Sequence, residues 1–379
     1  MLVTLSNDPR DYAWGSPTLL AELEGRTPSG RAEAEVWFGD HPGDPAMTAD
    51  GRTLDAWLEA EGPATGAPAR LPYLLKLLAA ASALSIQAHP SKAQAEAGFA
   101  REEAAGIARD AAERTYRDDN HKPELLVAVS DEFRALAGLR DLDATRRLLE
   151  DIGPGARPLA ERLEGTDAAL GAVIGWLLSE DGAADARDIV AAAVAASSTE
   201  FAAELEMVRG LQASSPGDPG IVVALLMNLV TLRRGEGLFV PAGVLHAYLE
   251  GLGVELMAAS DNVLRGGLTP KHIDVAELLA VLDQTTGAPH VIQPREVATG
   301  IDRYDVPVPD FALFRARAGA QTMLSIDGPA IAVSTGGAVR IEGGTATTLL
   351  APGGAVFVTP DEREFAVRGD GQVFVAVPG

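Results

Sequence analysis

The sequence predicts a mixed, mainly β protein: two related β-barrel halves, only the first with a histidine after its central turn, and an α-helical domain inserted into the first. Three observations predict it. Segments 1–95 and 235–300 read as short strands and loops punctuated by glycine and proline, whereas 96–234 turns to alanine, leucine, arginine and glutamate at helical spacing. Segment 301–379 returns to strand texture, and its Gly353-Gly354-Ala355-Val356-Phe357-Val358-Thr359-Pro360 echoes Gly235-Glu236-Gly237-Leu238-Phe239-Val240-Pro241.

Taken in order, Thr53 to Glu61 predicts a short helix. The apolar run from Leu71 continues to Gln87 and ends at Pro90, which predicts a strand closed by a turn. Ser91 is placed to cap a helix over Ala93 to Ala108. Further helices are expected over Leu142 to Asp151, Asp167 to Leu178, Ala183 to Ala195, Glu200 to Gln212 and Pro219 to Arg233. One strand segment, 116–130, interrupts the block and is expected to join the first β half. Thr269 before Pro270 predicts another helix start, which would put Lys271 and His272 in its first turn, where the dipole suits an anion. Strands are then expected over Ala330 to Ser334, Ala338 to Glu342, Thr347 to Leu350, Ala355 to Thr359 and Glu364 to Val367.

Composition narrows the class. At 379 residues, 47% apolar and 22% charged, the chain has ample material for two or three cored domains. Acidic residues outnumber basic ones 54 to 31, and a formal charge of -23 repels nucleic acid and anionic membrane, while still allowing a small anionic substrate where positive groups are concentrated at one site. The start has no basic region followed by an apolar stretch, and Lys76 interrupts the longest apolar run, so a cytoplasmic, non-membrane protein is expected. Cysteine is absent, so any zinc must be held by imidazole, carboxylate or amide donors. Only four of the basic residues are lysine (Lys76, Lys92, Lys122 and Lys271), which marks those positions as ones where guanidinium does not serve.

The candidate donors are few. On a strand, Gln87 and His89 share a face and offer one oxygen and one nitrogen. Pro123 stiffens the start of the strand carrying Glu124, a carboxylate costly to bury without a cation. The segment Gly237-x-x-x-Pro241-x-Gly243-x-x-His246 resembles the second motif of the cupin superfamily, a jelly-roll fold that often holds a metal inside its barrel. Two nitrogens and two oxygens make a zinc sphere with room for substrate. Trp14 and Trp37 read first as packing residues and second as a sugar-facing wall. Arg265 precedes two glycines that let a ligand approach the backbone closely.

Tyr12-Ala13-Trp14-Gly15, Gln87-Ala88-His89-Pro90, Asn120-His121-Lys122-Pro123-Glu124, Pro241-Ala242-Gly243-Val244-Leu245-His246-Ala247-Tyr248 and the run from Met257 to Lys271 together resemble the type I mannose-6-phosphate isomerase family. The resemblance implies cupin-type jelly-roll β-barrels, two of them with the second lacking metal, and one zinc ion per chain on Gln87, His89, Glu124 and His246. It implies a sugar phosphate as substrate, interconversion of D-mannose 6-phosphate and D-fructose 6-phosphate, and a monomeric state. Arg265 would be a catalytic arginine, with Glu255, Lys122 and Lys271 as further candidates for proton handling or phosphate binding. Trp14, His121, Tyr248 and Asp261 lie in the matching motifs, and Ser85 lies two residues before Gln87; all are expected to contact substrate. The family has serine-rich residues after its Gly-x-His-Pro segment, whereas here His41-Pro42 precedes Gly43-Asp44-Pro45-Ala46, a difference at the substrate rim. The base stays unassigned among Glu255, His121 and the two lysines. Two other classes stay open: another metal-dependent cupin enzyme such as an oxygenase, for which a glutamine donor is unusual, and a non-catalytic sugar-phosphate binding module.

Overall fold

The computed structural model describes residues 1–164 and 170–379. It is a mixed protein built mainly on antiparallel sheets of ten, eight and four strands. The organising element is the long strand His246–Ala258. Its C-terminal part lies between Tyr73–Ala80 and Glu124–Ala128, while its N-terminal part lies between Ile86–Ala88 and Glu132–Leu139. A register shift between Tyr248 and Glu250 bends the strand between these two sets of neighbours. One strand therefore serves two facing wings of a sandwich.

Side-chain alternation then sorts each strand into layers. Between the wings lie Leu78, Leu126, Phe133, Val230, Leu238 and Tyr248. On the far side of the first wing, Leu75, Leu77, Leu125, Val127, Val254 and Leu256 pack against Ile331, Val333, Phe357 and Phe374 of the eight-stranded sheet. The other face of that sheet packs on the four-stranded one through Val339, Ile341, Val356, Phe365 and Val375. The helices cover the outside of the second wing, where Ile86, Leu136, Leu245 and Leu264 meet Leu148, Ile174, Leu205 and Ile221. Each such fully buried leucine or isoleucine contributes about 1.5–3 kcal/mol. The pairing runs as open, branched paths, and among the described residues no ring of strands closes into a barrel.

Several sequence expectations shift at their edges. The helix after Ser91 ends at Ala104 rather than Ala108; it starts with a capping box in which Ser91 and Gln94 exchange bonds. The helix expected from Asp167 runs Leu170–Leu177, and its expected start lies outside the described residues. The helix expected over Pro219 to Arg233 is corrected: only Gly220–Leu225 is helical, and Met227–Arg233 is a strand paired with Glu132–Leu139. Val230 and Leu232 point between the wings while Thr231 and Arg233 face outward, a period of two that overrides the helical texture upstream. The first strand, Leu2–Ser6, joins the C-terminal eight-stranded sheet by pairing with Ala355–Val358. Among the described residues no helix is long and apolar enough to cross a membrane.

Candidate metal centre

The three buried donors come from three different strands or strand ends. Gln87 lies directly opposite His246, the first residue of the long strand, and His89 follows one residue beyond the short strand Ile86–Ala88. Glu124 opens its strand between Met257 and Val240. The turn before His246 needs Gly243: its φ is 81°, its N–H donates to the His89 carbonyl at 2.8 Å, and a Cβ there would sit 2.8 Å from the Val281 carbonyl. The same glycine thus fixes the chain beside both histidines.

His89, Glu124 and His246 bring their ligand atoms within 4.8 Å of one another, all buried. His89 Nδ1 lies 2.7 Å from the Asn262 carbonyl, and His246 Nδ1 lies 3.2 Å from the Val244 carbonyl. A carbonyl can only accept, so each Nδ1 must donate, which leaves each Nε2 as a lone pair. Those lone pairs face Glu124 at 3.1 Å and 3.2 Å. The His89 Nε2 contact lacks hydrogen-bond alignment, and that atom is buried without a partner. Three acceptors converging out of water need a cation among them, and a buried two-imidazole, one-carboxylate set suits zinc. Gln87 lines the cavity beside them, and its Nε2 donates to Ser85 Oγ at 3.0 Å, so the amide oxygen is the atom left without that bond. The residues present therefore fit the ion.

Burial pushes the His89 imidazolium down to about 4, with Glu124 pulling the other way. His89 is then neutral, as a ligand must be, at neutral pH. The unfolded chain binds that proton near pH 6.5 and the folded chain only near pH 4, so stability is full above pH 6.5 and falls as pH drops through that window. The metal-free protein is expected to lose roughly 3 kcal/mol between about pH 6.5 and pH 4. Urea titrations at both ends of the range, with His89→Ala as the control that flattens the difference, check this. Glu124 is held well below the usual carboxylate range: burial acts against this, but the Lys122 ammonium at 3.2 Å outweighs it.

A cavity of about 540 Å³ opens beside the donors. Because Glu255 pairs across the sheet with Lys76, and Lys76 with Trp37, these three side chains share its wall. Lys76 Nζ lies 2.9 Å from Glu255 and 3.8 Å from Glu35, whose carboxylate accepts from Trp37 Nε1 at 2.7 Å. Burial first, and then the neighbouring Glu124 and Glu35 charges, raise the Glu255 carboxyl; Lys76 opposes them. At the other end stand Arg117, Arg265 and Lys271, none of which pairs with a carboxylate among the described residues. Burial and the mutual repulsion of these cations lower the Lys271 ammonium and the Arg265 guanidinium.

Of the residues singled out in the sequence, Trp14, Ser85, Gln87, Lys122, Glu124, His246, Tyr248, Glu255, Asp261, Arg265 and Lys271 line this cavity. His89 sits beneath it. Tyr248 donates to Glu124 Oε2 at 3.1 Å, so it orients the carboxylate. Asp261 is tied to His41 Nε2 at 3.2 Å. His121 is corrected: its Nε2 lies 2.9 and 3.0 Å from the Asp310 carboxylate, and it is not among the residues that line the cavity. The helix start expected at Thr269 is also corrected. The helix is Val275–Val281, with Asp274 accepting from the Glu277 N–H at 3.0 Å; aspartate caps where threonine does not, and Lys271 and His272 lie in the preceding loop.

Sequence reasoning missed Glu35, Arg117 and Asn262, and treated Lys76 only as a scarce lysine interrupting an apolar run. The signal for Lys76 was there: a lysine in the middle of a strand buried at all eight positions must find a carboxylate. Nothing local marks Asn262, whose side chain accepts from the Arg117 N–H at 2.7 Å and donates to the Asp118 and Asn120 carbonyls.

Fold and site together define a class: antiparallel β-sandwich proteins with a buried two-histidine, one-carboxylate centre opening on a polar cavity with a cationic end. Residues 2–142 match the model for the phosphomannose isomerase type I catalytic domain. The chain is 36% identical to the mannose-6-phosphate isomerase of Escherichia coli (strain K12), covering 97% of each, and 31% identical to that of Bos taurus, covering 93% and 92%. It superposes on the crystal structure of mannose 6-phosphate isomerase from Salmonella typhimurium bound to substrate and zinc with a TM-score of 0.90 at 32% identity, covering 100% of this chain and 99% of that one. The chain belongs to the mannose-6-phosphate isomerase family.

Proposed function

We propose that this protein is a zinc-dependent aldose–ketose isomerase that interconverts D-mannose 6-phosphate and D-fructose 6-phosphate by proton transfer through a cis-enediol(ate). The observation that carries the reading is the pairing, in one cavity, of converging Nε2 lone pairs at Glu124 with three cations along the wall that have no carboxylate partner among the described residues. Gln87, His89, Glu124 and His246 would hold the ion, which supplies Lewis acidity toward the substrate's carbonyl and hydroxyl oxygens when bound.

The chain's own side chains account for the rest. Arg265, Lys271 and Arg117 bind and orient the phosphate, since a dianion suits a cluster that is costly to leave unpaired. Glu255 takes and returns the proton; its raised carboxyl is a better base at neutral pH than an ordinary glutamate, and Lys76 holds it in place. Lys122 sits beside Glu124 and is poised to stabilise negative charge on the sugar oxygens. Trp14, Ser85 and Asp261 wall the sugar, and Tyr248 fixes Glu124.

The same reading divides the chain into a metal-bearing half (1–95 and 235–300, with 116–130), an insertion at 96–234 and a bare C-terminal half at 301–379. The sheet branching and the shared turn-and-strand sequence support opened-out cupin jelly rolls in both halves. A monomeric, cytoplasmic enzyme without nucleic-acid partners fits the charge of -23.

A coupled assay on purified protein tests the function. Mannose 6-phosphate is expected to be converted with one zinc per chain, and chelation to stop it. No turnover by zinc-loaded protein, chelation without effect, or stoichiometric iron with oxygen uptake would each sink the reading.

A further inference from the structure

The cationic end of the cavity is not held by its own strand. Arg265 belongs to the short strand Leu264–Gly267, which pairs with Ile86–Ala88 and loses register between Arg265 and Gly267. The chain then enters the Leu268–Lys271 loop, whose Leu268 takes a left-handed φ of 55°, an uncommon and strained setting for leucine. Thr269, Pro270 and Lys271 from this loop line the cavity. Something outside the loop must stabilise that conformation.

The helical insertion provides it. Asp218 lies far away in sequence, between the helices Ala202–Ser214 and Gly220–Leu225. Its Oδ1 accepts from the Leu268 N–H at 3.0 Å and from the Gly220 N–H at 2.7 Å, and its Oδ2 accepts from the Thr269 N–H at 3.0 Å. The backbones meet closely here: a Cβ on Gly267 would lie 2.4 Å from the Gly220 Cα. A carboxylate using both oxygens on consecutive N–H groups fixes peptide orientation as well as position. The Lys271 N–H in turn donates to Thr269 Oγ1 at 3.2 Å, so the anchored Thr269 carries the lysine's backbone with it.

We infer that Asp218 is a positioning residue: from the helical insertion it clamps the Leu268–Thr269 backbone and so presents Lys271, beside Arg265, to the anionic end of the substrate. This rests on the reading of the cavity as a sugar-phosphate site. The insertion is thereby a part of substrate recognition, although Asp218 itself does not touch the substrate. Its removal affects binding of the anion and leaves the zinc donors and Glu255, on other strands, where they are.

Zinc-loaded wild-type protein, Asp218→Ala and Asp218→Asn are compared by steady-state kinetics on mannose 6-phosphate and by calorimetric titration with inorganic phosphate. The alanine variant is expected to raise KM and the phosphate Kd together by about tenfold, with kcat within about twofold and zinc content unchanged. Asp218→Asn is isosteric and keeps the test open should the alanine variant fail to fold; its amide N–H₂ opposes the Thr269 N–H, so a smaller rise in the same direction is expected. A merely structural role would lower Tm and active fraction without separating KM from kcat. Unchanged phosphate Kd in a folded variant, a fall in kcat at constant KM, or no phosphate binding by the wild type overturns the inference. Absence of turnover by a wild type that binds phosphate more tightly than the variants sinks the isomerase reading instead and leaves the clamp standing.

Discussion

Glu124→Gln is expected to reduce isomerase activity by about a thousandfold or more and to leave the purified protein with well under one zinc per chain. The glutamine keeps the shape but removes the charge toward which His89 and His246 turn their Nε2 atoms at 3.1 and 3.2 Å. Lys122, at 3.2 Å, then faces a neutral amide and repels an incoming cation. Metal analysis by mass spectrometry and the coupled assay measure both effects on one preparation. Full zinc occupancy in the variant would remove Glu124 from the donor set. Retained activity at low occupancy would remove zinc from the reaction.

Lys76→Met is expected to destabilise the zinc-loaded protein by about 3–5 kcal/mol, the usual cost of breaking a buried ion pair from one side. Both members are nearly inaccessible, with side-chain exposures of 8% for Lys76 and 4% for Glu255. Burial alone would lower the Lys76 ammonium, but Glu255 and Glu35 outweigh it and raise it, so the side chain is charged. Without it, Glu255, Glu35 and Glu124 crowd together with one fewer cation, and Trp37 loses the ammonium 5.0 Å from its ring centre. The double variant Lys76→Met/Glu255→Gln is expected to recover most of the loss, because it removes the orphaned charge as well. Urea unfolding measures the cycle. A single-variant cost below about 1 kcal/mol would mean that water reaches the pair.

How much could be read beforehand differs from residue to residue. Gln87, His89, Glu124 and His246 were legible because each stands close to a proline or glycine that fixes its backbone, a local constraint that leaves a local pattern. Lys76 was half legible: its rarity drew notice, yet the partners that explain it lie on other strands at positions 35 and 255. His121 misled because it stands beside Lys122 in a motif, while its partner, Asp310, lies 189 residues away in the C-terminal part of the chain. Asp218 left no trace, since what it holds is fifty residues away.

The sequence by itself determined the mainly β class, the inserted helices and the absence of any thiolate donor, because these follow from residue type and short-range period. Only the tertiary structure decided that Met227–Arg233 is a strand, that the sheet branches through His246–Ala258 and does not close among the described residues, and which cations and carboxylates share the cavity. Those outcomes depend on register between distant strands and on which buried charge finds which partner. Both are settled by desolvation and pairing across the whole fold, to which no single stretch of sequence has access.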